Sequence, residues 1–99
     1  MPTSVANVET EHSSRYLQQL CKHFGHKVPV NYTATEGRVT LPFGTCAFAA
    51  DTHLLQLSVE GALQDLPRLE RFVGEHLARF AFRENPTITW TSQTEGGSV

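Results

Sequence analysis

The chain has 99 residues, a formal net charge of −2, 39% hydrophobic and 18% charged residues; this suits one domain with one core and excludes both a disordered chain and two ordinary domains. The longest apolar stretches, Phe80-Ala81-Phe82 and Ala47-Phe48-Ala49-Ala50, fall far short of the roughly 20 residues a membrane-spanning helix needs. The basic residues are scattered from Arg15 to Arg83, without the concentrated patch that nucleic-acid binding requires.

In chain order, Met1 to Thr3 reads as a loose start, and Met-Pro-Thr-Ser-Val has neither the basic region nor the apolar core of a secretory signal. A cytoplasmic location is the expectation. Residues 4–11, mixed in polarity, read as an outer strand. His12-Ser13-Ser14 offers a serine cap to a first helix over residues 13–25, whose stripe is Tyr16, Leu17, Leu20, Cys21 and Phe24. Gly25 marks its C-terminal end.

Four strands are expected next. Val28, Val30 and Tyr32 alternate, with Pro29 pointing to an edge or a strand start. Thr35-Glu36-Gly37 reads as a turn, followed by the alternation of Val39, Leu41 and Phe43. Gly44 breaks the chain before Cys46 to Ala50, and Asp51-Thr52 turns it into Leu55, Leu57 and Val59. A second helix follows, with Asp65 as N-cap and Pro67 in the first turn. Leu66, Leu69, Phe72, Val73, His76, Leu77 and Phe80 share one face of it up to about residue 83. Pro86 stops it, Thr87 to Thr91 alternate as a last strand, and residues 93–99 read as a flexible tail. The order β-α-β-β-β-β-α-β defines a single α+β domain, with an antiparallel sheet of about 4–6 strands and two helices on one face.

Chemistry-bearing residues are few. Cys21 and Cys46 match no metal or redox spacing and read as buried small hydrophobes. His76 falls within the apolar stripe of the second helix. There an imidazole either bonds a backbone carbonyl or hydroxyl, or lines a pocket between helix and sheet. Arg79, one turn on, either carries a pocket anion or pairs with Glu75 or Glu84. His23 and His26 form a His-x-x-His at a helix end, a candidate metal pair that lacks a third ligand and otherwise a solvated helix terminus. No nucleophile elbow or phosphate-cradling Gly-rich loop is present.

The segments Tyr16-Leu17-Gln18-Gln19-Leu20-Cys21-Lys22-His23-Phe24-Gly25-His26-Lys27 and His76-Leu77-Ala78-Arg79-Phe80-Ala81-Phe82-Arg83-Glu84, with Trp90 closing the last strand, resemble the two ends of a bacterial family called domain of unknown function 2218. The resemblance runs from about Val5 to Trp90 and implies a small domain like the C-terminal domain of phosphohexomutases, also described as TATA-box-binding-protein-like. It also implies an iron-uptake context, because such domains occur beside or fused to siderophore-interacting flavin reductases, a potential partner here. The expectation is a non-enzymatic accessory or small-ligand-binding module, with His76, Arg79 and His23 at a small pocket. A protein-interaction module, pairing as a homodimer through edge strands near Val5 to Glu11 or Val28 to Tyr32, is the alternative. A small acid–base enzyme using His76 is the third. No cofactor is expected beyond a metal ion at His23 and His26.

Overall fold

A computed structural model describes residues 2–81, 83–84 and 86–93. The elements are β1 (Thr3–Glu9), α1 (Ser13–Phe24), β2 (Val30–Tyr32), β3 (Glu36–Leu41), β4 (Gly44–Ala50), β5 (Leu54–Glu60), a 3-10 turn (Leu63–Asp65), α2 (Leu66–Phe80) and β6 (Trp90–Gln93). The strands form one antiparallel sheet in the order β2-β3-β4-β5-β1-β6. No helix among the described residues is long and apolar enough to cross a membrane.

Strand register explains why one face is covered. Gly37, Phe48, Leu57, Ala6 and Trp90 lie directly across from one another on successive strands, as do Val39, Cys46, Val59 and Ser4. Since side chains alternate faces along a strand, these two rows point to the same side. There they meet Leu17, Leu20 and Cys21 of α1 and Leu69, Val73 and Leu77 of α2 in one buried core. The opposite face carries Asn31, Arg38, Ala47, Ser58 and Val5 in a single row and, among the described residues, no helix. One polar group enters the covered rows: Ser4 is fully buried, and its hydroxyl donates to Glu70 of α2 at 2.6 Å.

Several boundaries differ from the sequence pattern, each for a physical reason. The segment beginning at residue 4 is not an outer strand, because β6 pairs along Thr3–Ala6 and places β1 between two neighbours. Neither serine caps α1. Ser13 donates to the Asp51 carbonyl, Ser14 donates to the Ala34 carbonyl at 2.6 Å, and Thr10 accepts the His12 amide at 3.0 Å. A lost cap costs about 1 kcal/mol, while each fully buried leucine contributes about 2 kcal/mol, so Leu17 and Leu20 hold the helix regardless. Gly25 stays right-handed at φ −62°, and the turn runs on until Val28 donates to the Phe24 carbonyl at 3.0 Å. Asp65 stands at the α2 N-cap position without a side-chain bond. That helix ends at Phe80 rather than near residue 83, and the last strand is displaced to Trp90–Gln93, since only those residues reach β1. Gln93 therefore belongs to the sheet, and the remainder of the expected tail lies outside the described residues.

Two glycines are required by close approach. Glu36 and Gly37 begin β3 instead of turning, and a Cβ on Gly37 would lie 2.6 Å from the Cys21 sulfur. Gly44 opens β4 after a Pro42-Phe43 hairpin; its Cβ would lie 2.6 Å from the Glu60 carbonyl oxygen and 2.7 Å from Leu69. Gly37→Ala is expected to lower stability by about 1–3 kcal/mol through overpacking. Urea denaturation of Gly37→Ala, Cys21→Ala and the double variant checks the cause. Removing the sulfur relieves the clash, so the double variant loses less than the sum of the two single losses.

Candidate functional site

The two helices run antiparallel across the sheet. Phe24 stacks on Phe72 with ring centroids 5.3 Å apart, His23 meets His76 and Phe80, and Tyr16 meets Glu84. Two differently built sites result at the ends of this helix pair.

At one end His23 and His76 are brought together, their ring centroids 5.1 Å apart. His76 is half-buried against Phe24 and Phe72, at centroid distances of 5.0 and 4.6 Å. Its Nδ1 lies 2.7 Å from the Phe72 carbonyl. A carbonyl only accepts, so Nδ1 carries the proton and the neutral ring keeps Nε2 as its acceptor. The carbonyl-bonded and pocket-lining alternatives for this residue are thus compatible. His23, His76, Phe24, Lys27, Val28, Leu41 and Phe72 line a hollow of about 150 Å³. Its floor is apolar, its polar groups are imidazole and ammonium nitrogens, and among the described residues no carboxylate belongs to the lining. Desolvation among the surrounding rings, then the charges of His76, His26, Lys27 and Arg79, hold His23 below the ordinary imidazole range. Arg79 is exposed and reaches this site through its charge. His26 is also exposed, its amide bonded to the His23 carbonyl at 3.3 Å. Among the described residues no group of three or more His, Cys, Asp or Glu side chains is placed to hold a metal ion. Cys21 and Cys46 are buried free thiols, pushed by desolvation to about 11 and about 12.

At the other end the polar groups satisfy one another. Glu84 accepts the Thr10 hydroxyl at 2.8 and 3.0 Å on its two oxygens and accepts the Tyr16 phenol as well. The Tyr16 bond first, then Thr10 and the charge of His12, draws Glu84 below the ordinary carboxylate range, with desolvation opposing. Burial, then Glu84, pushes Tyr16 up to about 12. This clasp ties the segment after α2 to the β1–α1 connection. Sequence reading missed it, because no spacing rule connects Thr10, Tyr16 and Glu84, which are separated by up to 74 residues. A wider hollow of about 670 Å³ lies on the bare sheet face around Arg38, Ala47 and Ser58, where no histidine gathers.

A six-stranded antiparallel sheet covered by two helices, with a histidine pair where the helices meet, defines a small α+β domain. Residues 5–91 match the family described as an uncharacterized protein conserved in bacteria (DUF2218), and the chain belongs to that family. Its structure is similar to the NMR structure of PA4090 from Pseudomonas aeruginosa, at 32% identity and a TM-score of 0.78, covering 92% of this chain and 96% of that one. No curated protein matches the sequence.

Because Glu84 titrates below its ordinary value, the clasp contributes full stability above the unfolded glutamate range and loses it as pH falls through the folded value. Urea midpoints at neutral pH and at about pH 3 are expected to converge between the wild type and Glu84→Gln at the acid end, and to differ at neutral pH. A constant difference across that range would remove the carboxylate from the clasp.

Proposed function

We propose that this chain is a non-enzymatic small-ligand-binding module whose ligand is a compact organic anion received between α1 and α2. The carrying observation is the His23–His76 pair, 5.1 Å apart, above an apolar floor. Two features choose the class of ligand. The titratable groups acting on His23 are His76, His26, Lys27 and Arg79, all cations or potential cations, so the field favours an anion over a metal ion. The hollow of about 150 Å³ is smaller than the roughly 300 Å³ at which drug-sized pockets begin, which suits a single ring bearing one acidic group. Phe24, Val28, Leu41 and Phe72 would take the ring, and the imidazoles and Lys27 the acid. The acid–base alternative calls for a carboxylate converging on the imidazole, and among the described residues the lining beside His76 holds none.

Within this reading, the iron-uptake context implied by the family resemblance makes one catecholate or carboxylate arm of a siderophore a fitting occupant. A whole iron chelate of several arms exceeds the hollow. A siderophore-interacting flavin reductase would then be the partner that presents or receives such a ligand.

The test is a ¹H–¹⁵N chemical-shift titration with benzoate and with 2,3-dihydroxybenzoate. Saturable shifts centred on His23, Phe24, Phe72 and His76 are expected, with a Kd on the order of 1 mM, about 4 kcal/mol of binding. His76→Leu is expected to weaken binding at least about tenfold (~1.4 kcal/mol) while keeping the dispersed spectrum of a folded chain. Non-saturating shifts, or an unchanged Kd in that variant, would overturn the reading. A melting temperature raised by zinc in the wild type but not in His23→Ala would replace the anion with a metal ion.

A further inference from the structure

We propose that an anion entering this pocket carries a proton onto His23, so that binding strengthens as pH falls through the imidazole range. The inference rests on the anion-binding reading above and adds its regulation. The His23 ring, exposed on its outer side, packs beside three other rings: it lies 5.1 Å from His76, 5.7 Å from Phe24 and 5.8 Å from Phe80, centroid to centroid. His76 donates its Nδ1 proton to the Phe72 carbonyl, and its ring carries no negative charge that would offset an imidazolium at His23. The titratable groups acting on His23 are His26 and Lys27 from the turn after α1, and His76 and Arg79 from α2; among the described residues β3 contributes Leu41 to the pocket. All of these favour a neutral ring when the pocket is empty. A bound carboxylate reverses the balance, because it offsets the surrounding positive charge and accepts a charge-assisted hydrogen bond from the imidazolium.

The sign follows from linkage. The anion raises the His23 pKa from its depressed empty-state value. Above the occupied-state value the ring is neutral in both states and affinity is flat. Between the two values affinity grows by up to about tenfold per unit fall in pH, and below the empty-state value it is flat again.

Isothermal titration of the full chain with benzoate, an anion throughout this range, reads the effect directly. Observed enthalpies in buffers of different ionisation enthalpy yield the number of protons taken up. Uptake approaching one proton per benzoate is expected near about pH 6, falling towards zero above about pH 8, with affinity lower by roughly tenfold or more at the higher pH. His23→Gln, which keeps a polar side chain in place, is expected to bind with no proton uptake and no pH dependence. Benzoate binding without uptake in the wild type overturns this inference and leaves the pocket reading standing. Uptake retained in His23→Gln overturns the assignment to His23. No benzoate binding at either pH overturns both.

Discussion

The placement of α1 on the bare backbone of β3 is the contact on which the rest of the molecule depends. A Cβ on Gly37 would come within 2.6 Å of the Cys21 sulfur, so α1 sits lower on the sheet than any side chain at that position would allow. From that height Leu17 and Leu20 lose all solvent contact. Phe24 is carried onto Phe72, and His23 comes level with His76. The core and the candidate pocket are therefore consequences of one close approach, because a densely packed interior transmits a displacement rather than absorbing it.

The same helix pair ends in two opposite electrostatic solutions. Around Glu84, a carboxylate receives hydroxyl donors from Thr10 and Tyr16, and its oxygens are satisfied from within the chain. Such a closed arrangement has structural work to do and little capacity left for a ligand. Around His23, cationic and potentially cationic groups converge over an apolar floor with no carboxylate in the lining among the described residues. Uncompensated charge beside a hollow is a free-energy gradient for an anion. This contrast, more than the size of any cavity, separates the candidate site from the larger open depression on the bare sheet face.

The location of the clasp also accounts for the shape of the chain after α2. Glu84 is drawn back to the β1–α1 connection, and its amide closes a turn on the Ala81 carbonyl at 3.0 Å. Ile88 then packs against the core from outside the sheet, and pairing begins only at Trp90. The alternation of Thr87 to Thr91 resembles a strand in isolation, yet β1 offers partners only to Trp90–Gln93. Local periodicity describes what a segment can do, and register decides which of its residues do it.

The amino-acid sequence by itself determined the element order, the faces of both helices and the burial of Cys21 and Cys46, because apolar periodicity is a local property that survives any tertiary arrangement. It also singled out His76 as a polar group within an apolar stripe and His23 as part of a His-x-x-His at a helix end. Their adjacency was not legible, since they lie 53 residues apart in sequence and no spacing rule spans two helices. The inward position of β1, the reassignment of the Ser13 and Ser14 hydroxyls to distant carbonyls and the Thr10–Tyr16–Glu84 clasp were decided only by tertiary structure. In each case the deciding partner is a hydrogen-bonding group supplied by a remote part of the chain, and such pairings leave no periodic trace in sequence.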